Sequence, residues 1–585
     1  MVAVRQSAKR HQFILILPSE HLSVMHVSHR RYVPRAMHRR SGAATVVRMT
    51  VVTFLGHAGL GVEAHGFRLL ADPWFARTGA FLGAWHQFPR NDHLDVPTLL
   101  DADWIAVSHE HLDHMDLSVL TRLADRTRVL IPRYASHVFR DRLRAGGVAR
   151  VVELEPWQAF PLDTRGSWIT AIPEHSPMCN DAAFLIVADG QAILNCNDAR
   201  LTAAQARRAK HLAGGRLDLM AVQTSGASWH PICYNYPPEV RARIEADKRI
   251  GKFRAVLRLV RATAPELAVP FAGPPCFLDP DLRHFNDSLR APGIFPDAEQ
   301  AADWLAEHLP HQRWAAFRPG DRIDLAIGAV TRDPVSARFS YTEGLAEYVD
   351  RYAADRADDL ATVHSSAPTP GPDLAELFGA HFSRLGTLSP YFLARIGMTV
   401  RFEVTGPYGG NWDVRMDADG LRVDLSGGAA APEYTFTVAG RWLGAVLSGQ
   451  IAWEDLLLSL RLTARRDPDR YNDYLIGLLK HANEPALRAV EEYETRRETD
   501  ERIVVSAGER AYEIGRYCPH AGEDLAVGAV VEDGVLHCLA HNFAFDLATG
   551  ECVNAHCEPL ASKQVDPAGT RAVGSGGPAD GARSR

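Results

Sequence analysis

Two groups of residues in this chain of 585 amino acids have types and spacings suited to chemistry rather than to packing. One lies near the C-terminus as Cys518-Pro519-His520 and Cys538-Leu539-Ala540-His541, a C-x-H pair followed after a loop by a C-x-x-H pair. Two thiolates and two imidazoles delivered by two loops form a redox-capable ligand set. The other lies near the N-terminus as His109-Glu110-His111-Leu112-Asp113-His114, with four candidate ligands inside six positions. Imidazole combined with carboxylate oxygen suits iron or manganese at least as well as zinc. The first group reads as an electron carrier and the second as a reaction site.

Cys and His alternate within each C-terminal loop, which is the ligand pattern of a Rieske [2Fe-2S] centre: Cys518 and Cys538 on one iron, His520 and His541 on the other. Zinc fingers instead place both His after both Cys. The flanks Cys518 to Leu525, Phe543-Ala544-Phe545-Asp546 and Thr549-Gly550 resemble the Rieske ferredoxin and oxygenase family. Replacing two anionic thiolates by neutral imidazoles raises the reduction potential, to somewhere within about −150 to +300 mV. Glu523 and Ala540 stand where the respiratory type carries a disulfide, so the resemblance implies the lower, oxygenase-like part of that range. Cys179, Cys196, Cys233, Cys276, Cys552 and Cys557 show no paired spacing and read as buried thiols of a reducing compartment.

The elements that must hold these groups follow from periodicity. From Met49 short β-rich runs (Val51 to Leu55, Gly61 to Glu63, Phe67 to Ala71) give way to runs interleaved with helical stretches, including Trp104 to Ser108, Val129 to Ile131, Trp168 to Ile172, Ala183 to Val187, Ala192 to Leu194 and Leu217 to Val222. This predicts an α/β domain over 49–300, with a helix over 117–126 and metal-type residues just after strands, where loops converge side chains on one point. Residues 236–350 read as mostly helical, interrupted by a loop over 269–280, with 301–364 a helical extension. Ser365 to Pro372 reads as a linker, and 373–497 as an α+β domain. Its Gly440-Arg441-Trp442-Leu443 and Gly449-Gln450-Ile451 resemble a sterol-carrier-like domain, with a packing or dimerisation role left open. Residues 503–566 form a small all-β module, and 567–585, rich in Gly, Pro, Ala and Ser, read as a disordered tail.

Composition limits the remaining readings. Hydrophobic content of 46% and charged content of 23% are those of a globular protein, and the length implies several domains. The net charge of −7 conceals a leader, residues 1–48, with nine basic residues against Glu20 alone; it reads as a disordered leader or a start assigned upstream of the true one. No apolar run approaches the roughly 20 residues that span a bilayer, so the expectation is a cytoplasmic protein without membrane or nucleic-acid partners.

His109-x-His111-x-Asp113-His114, with Asp72 ahead of it and His175 and Asp198 behind, resembles the metallo-β-lactamase superfamily over residues 50 to 290. The resemblance implies a four-layer αββα fold with His109, His111 and His175 at one metal, Asp113 and His114 at a second, and Asp198 bridging. Asp279 stands where that family has a late His, with His284 as a substitute; Asp72 fits an orienter of a His better than a ligand. His57, in Gly56-His57-Ala58-Gly59, either lines the site or bonds structurally, and Ser225 to Tyr236 reads as either a substrate-facing loop or an aromatic packing cluster. Together with Asp72-Pro73-Trp74 and Pro270-Phe271-Ala272-Gly273, the pairing of the two sites resembles the CMP-N-acetylneuraminate hydroxylase-like family, although there the Rieske module precedes the catalytic domain.

That resemblance implies a monooxygenase that hydroxylates or N-oxygenates a small metabolite with dioxygen. One or two iron ions would sit in the α/β domain, and an NAD(P)H-dependent reductase or a ferredoxin would supply electrons through the [2Fe-2S] cluster; a homo-oligomer stays open. The alternatives are a zinc hydrolase with a redox-sensing Rieske domain, and a pure electron-transfer or binding protein. Zinc is redox-inert, so a hydrolase gains nothing from a one-electron relay.

Overall fold

The computed structural model describes residues 50–226, 228–428, 431–495, 501–520, 523–538, 543–554 and 557–566; the basic leader, the tail 567–585 and His541 lie outside the described residues. In the N-terminal domain, Val51–Gly56, Gly59–Ala64 and Phe67–Ala71 form an antiparallel meander, and Trp104–Ala106, Arg128–Pro132 and Val151–Leu154 then add in parallel. A second sheet runs Ala268–Phe271, Leu219–Gln223, Gln191–Asn195, Ala182–Ala188, Trp168–Pro173 and Phe160–Pro161.

Period-two alternation decides which face of each strand meets which layer. Leu219 and Ala221 join Leu69, Leu130 and Phe184 in the core between the sheets. Met220 and Val222 point the other way, onto Phe253 and Val256 of the long helix Pro238–Thr263. On the outside of the first sheet Ile105 and Val129 pack against Val119, Phe139 and Leu143. Helix, sheet, sheet and helix are thus stacked in the four layers expected from the sequence.

Several boundaries differ from expectation. The helix expected over 117–126 spans only Leu117–Leu120, and the Thr121 hydroxyl donates to the Leu117 carbonyl at 2.7 Å as the chain turns away. The loop expected over 269–280 opens with the strand Ala268–Phe271, too short for periodicity to reveal and fixed by its parallel pairing with Leu219–Gln223. Residues 301–364 are not purely helical: Arg322–Asp324 and Ala329–Thr331 return to the first sheet, Ile323 opposite Val52. Isolated three-residue strands at an edge leave almost no sequence pattern.

The middle domain is a five-stranded sheet in the order Gly420–Asp424, Gly410–Asp417, Met398–Thr405, Tyr434–Ala439 and Leu462–Arg466, with helices on its apolar face. It does not hang on a free linker. Residues 368–370 lie against the helix Gly440–Leu447, and a Cβ on Gly440 would stand 3.1 Å from Leu374 Cδ2 and 3.5 Å from Pro370 Cγ. One continuous apolar cluster joins Trp74, Trp85 and Phe277 of the α/β domain to Tyr352 of the extension and to Phe378, Phe402 and Leu475 of the middle domain. The segment Ser225–Tyr236 is part of this joint: Tyr234 bridges to Ala464, its hydroxyl bonds that of Tyr434, and the Arg466 guanidinium lies 4.7 Å from its ring centre. Its aromatic residues pack between domains. Lys248 of the long helix anchors the same segment, donating to the His230 carbonyl at 2.7 Å and the Ser228 hydroxyl at 3.1 Å.

A shared core predicts shared unfolding. Phe378→Ala, which empties a fully buried position between Phe382, Phe402 and Trp412, should lower stability by about 3–5 kcal/mol in a single urea transition rather than melt the middle domain alone. Burial, with Lys252 and Arg466 close by, pulls the Lys248 ammonium down to about 7. A lysine whose folded value is depressed contributes stability at alkaline pH that is lost as pH falls toward 7. Urea midpoints measured at pH 7 and pH 9 should therefore differ less in Lys248→Met than in the native protein.

Candidate active site

Five loops converge at one edge of the paired sheets. His57 follows Val51–Gly56, Asp72 follows Phe67–Ala71, and Ser108 to His114 follow Trp104–Ala106; Asp181 precedes Ala182–Ala188, and Asp198 follows Gln191–Asn195. His57, Asp72 and Asn197 adopt left-handed backbone with φ of 47°, 45° and 47°, a conformation that disfavours side chains by about 1–2 kcal/mol. Such strain persists where surrounding contacts fix the turn. At Gly56, φ 106°, a Cβ would stand 2.6 Å from Gln87 Oε1, and the Gln87 and Asn91 amides both donate to the Trp74 carbonyl, at 2.9 and 3.0 Å. The Trp74 ring in turn lies edge-on to His57 at 5.3 Å.

Three imidazoles of the cluster, those of His109, His111 and His114, are each gripped at one nitrogen. Asp72, fully buried, accepts from the Ser108 N–H at 2.7 Å and hydroxyl at 2.8 Å, and its Oδ2 lies 3.1 Å from His114 Nδ1. Ser108 Oγ is 2.9 Å from His109 Nδ1. Glu454, reaching in from the middle domain, places Oε1 3.1 Å from His111 Nε2. The remaining nitrogens face inward: His114 Nε2 is 3.5 Å from Asp198 Oδ1, and His109 Nε2 is 2.8 Å from His111 Nδ1 and 4.0 Å from Asp181 Oδ1. His57 Nε2 is 2.9 Å from Asp113 Oδ2.

Three overlapping groups emerge, each with donor atoms within 4.8 Å of one another: His57, Asp113 and His114; His109, His111 and Asp181; His109, His114 and Asp198. Among the described residues His57 Nδ1, Asp113 Oδ1, His114 Nε2 and Asp198 Oδ1 are buried with no hydrogen-bond partner. An unsatisfied buried polar atom is worth about 1–3 kcal/mol of lost stability, and a cation among His57, Asp113 and His114, or among His109, His114 and Asp198, would offset that cost. Four imidazoles and three carboxylates suffice for one or two ions. Burial, reinforced by His114 and His111, holds the His109 imidazole well below its ordinary range, in the neutral form that ligates. Burial opposes ionisation of Asp198, but His114 outweighs it and keeps the carboxyl below the usual range. Burial also pulls His111 down, yet Glu454 prevails and lifts it to about 9.

The structure brings together His109, His111, Asp113, His114 and Asp198 but neither His175 nor Asp279. The His175 ring lies against Tyr493 at 5.7 Å; burial lowers its pKa, while Asp524 of the C-terminal module raises it. Asp279 Oδ2 sits 2.6 Å from both Arg461 Nη2 and His364 Nε2, so its carboxylate is committed to an ion pair with the middle domain. His284 packs on Phe285 at 4.1 Å. In their place stand Asp181 and His57. For His57 this is one of the two readings left open by the sequence, whereas Asp181 flanks a strand and carries no further sequence signal.

In the C-terminal module Cys518 follows Arg510–Gly515 and Cys538 ends Val535–Cys538. Each cysteine is buried, and its N–H donates to the carbonyl five residues on, Glu523 at 2.9 Å and Phe543 at 2.8 Å. The His520 ring stacks on Phe543 at 3.7 Å. This geometry fits a cluster held by paired loops.

Comparison with known proteins agrees with both halves. The model of the Rieske [2Fe-2S] domain matches residues 482–564, and that of the Beta-lactamase superfamily domain matches residues 67–236. The chain joins a beta-lactamase superfamily domain to a Rieske domain. A Rieske 2Fe-2S iron-sulfur protein of Mycolicibacterium smegmatis is 28% identical over 528 residues, covering 88% of this chain and 100% of that protein. Cytidine monophosphate-N-acetylneuraminic acid hydroxylase of Cricetulus griseus is 26% identical over 451 residues, covering 72% of this chain and 73% of that protein. Among solved structures, CmlA, a diiron beta-hydroxylase from Streptomyces venezuelae, aligns over 48% of this chain and 54% of its own at 18% identity, with a TM-score of 0.33.

The Rieske domain meets the middle domain at one short helix, and its own helix Leu525–Gly528 lies beside Ala203–Leu212 of the beta-lactamase superfamily domain. Asp473, in the first turn of Asp473–His481, places Oδ2 2.7 Å from His520 Nε2. Seven residues later, about 10 Å along the axis, Lys480 Nζ lies 2.8 Å from Glu454 Oε1, the oxygen that also meets His111. His520 and His111 are therefore linked by three ion pairs and one stretch of helix. His481, next to Lys480, lies 3.2 Å from the Met178 carbonyl through Nε2 and ties the helix to the beta-lactamase superfamily domain.

Metal counting separates the two assignments of the third ligand. After equilibration with iron(II) or zinc(II), Asp181→Ala should bind about 10-fold more weakly, or worse, whereas His175→Ala should retain the native content.

Proposed function

We propose that this protein is a Rieske-coupled, iron-dependent monooxygenase that hydroxylates or N-oxygenates a small metabolite in the cytoplasm. Electrons come from an NAD(P)H-dependent reductase or a ferredoxin. The observation that carries this reading is the helix Asp473–His481, with the Rieske residue His520 at one end and the Lys480–Glu454–His111 chain at the other. A hydrolytic centre has no use for such a connection. Similarity over most of the chain to a protein named as a hydroxylase supports the same reaction class. No described helix is long and apolar enough to cross a membrane.

The proposed ligands are His109, His111 and Asp181 for one ion, and His57, Asp113 and His114 for a second, with Asp198 between them. Iron held there would supply the capacity to bind dioxygen and receive electrons one at a time. The protein's own residues position and shield this centre. Asp72, Ser108 and Glu454 fix the imidazoles, and Trp74 and Trp85 wall the His57 side with apolar surface. A cavity of about 230 Å³ opens beside His111 between the two domains, lined by Arg384, Ile451, Trp453, Lys480 and Ala486. We assign it as the seat of the substrate; its walls mix apolar surface with charge, as small-molecule sites do.

Anaerobic metal analysis and oxygen uptake test the reading. The protein should contain iron beyond the two atoms of the cluster and should consume oxygen only with reductant. Asp473→Asn should keep the visible absorption of the cluster while slowing reductant-driven oxygen uptake roughly tenfold or more. Bound zinc with turnover in the absence of reductant would replace the oxygenase by a hydrolase.

A further inference from the structure

We infer that the middle domain completes the metal centre: Glu454, held by Lys480, is the carboxylate that orients His111 as a ligand. The inference rests on the metal centre proposed above and assigns part of it to a domain outside the beta-lactamase superfamily fold. A histidine that binds a metal through one ring nitrogen needs the other fixed by a hydrogen-bond partner. For His114 that partner is Asp72, and for His109 it is Ser108, both from the same domain as the ligands. For His111 the partner is Glu454, in the first turn of the helix Trp453–Leu458.

Three observations make Glu454 a positioning residue rather than an incidental neighbour. Its carboxylate is 7% exposed, in a place where a charge is unfavourable unless paired. It engages His111 Nε2, which leaves Nδ1 as the nitrogen turned to His109 and Asp181. Its charge is balanced by Lys480, whose Nζ contacts the oxygen that faces His111, so the carboxylate is held in place and is not drawn toward the metal as a competing ligand. Arg142 also ties the same helix to the beta-lactamase superfamily domain, through Asp455 at 3.5 Å, and pairs with Glu110, between His109 and His111, at 3.7 Å. The consequence is that a beta-lactamase superfamily domain lacking its middle domain would present His111 unoriented.

Zinc(II) is the probe, counted per chain by mass spectrometry after equilibrium dialysis of the full-length protein with its cluster in place. Glu454→Ala should weaken binding of one ion about 10- to 100-fold, and Glu454→Gln, whose amide oxygen still accepts from His111, should recover part of that loss. The double substitution Glu454→Met with Lys480→Met removes both charges together, so it preserves the fold, and it should show the same loss. Tyr234→Phe, which removes the hydroxyl bond to Tyr434 at the same domain joint, should bind zinc as the native protein does, which separates orientation of His111 from loosening of the joint. X-ray absorption at the zinc edge should show one imidazole fewer in Glu454→Ala. Native affinity in both Glu454→Ala and the double variant would overturn the inference, as would a native protein that takes up no zinc. Oxygen uptake is scored separately: zinc affinity that depends on Glu454 in a protein that never consumes oxygen upholds this inference and sinks the oxygenase reading.

Discussion

An imidazole has two nitrogens, and only one can face a metal; the other must be fixed or the ring turns. That constraint organises this protein. His114 is fixed by Asp72, His109 by Ser108, His111 by Glu454, and His520 of the Rieske domain by Asp473. The four partners come from four separate stretches of chain. Two lie in loops of the beta-lactamase superfamily domain, and two lie on neighbouring helices of the middle domain. The fold is arranged so that these stretches meet.

Fixing rings with carboxylates means burying charge, which is tolerated only with close partners and rigid surroundings. Asp72 answers to Ser108, Glu454 to Lys480, and Asp279 to Arg461. Each of the last two pairs crosses or borders the joint between domains, where Trp74, Trp85, Phe277, Phe378 and Leu475 share one apolar core. A core common to both domains keeps the helix Asp473–His481 from drifting, and the ion pairs at its two ends depend on that. The polar linkage between the two centres thus rests on an apolar interface.

The linkage also gives the order of domains a physical sense. With the middle domain placed between the catalytic and Rieske segments in sequence, one of its helices can touch both in space. The Rieske domain additionally approaches the beta-lactamase superfamily domain itself, where Asp524 acts on His175. His175 stands outside the groups of donor atoms brought together in the cluster.

Much of this was legible in the residues. Period-two and helical patterns gave the α/β domain, the resemblance carried by the motif implied its four layers, and the dense spacing of His109 to His114, like the paired Cys and His of the C-terminal module, announced ligands without any fold, because ligands on one loop must be close in space. Ligands from different loops were harder. Asp181 was passed over, and His57 was left between lining the site and a structural bond, while His175 and Asp279 were expected as ligands, since an isolated His or Asp near a strand carries no mark of which way it points. The short strands Ala268–Phe271 and Arg322–Asp324 were invisible for a similar reason: their pairing, not their pattern, makes them strands. Local chemistry, set by neighbours along the chain, was determined by sequence alone. The second nitrogen of each histidine and the contact between the two centres were decided only by tertiary structure, because their partners lie far away in the chain and meet them solely through packing.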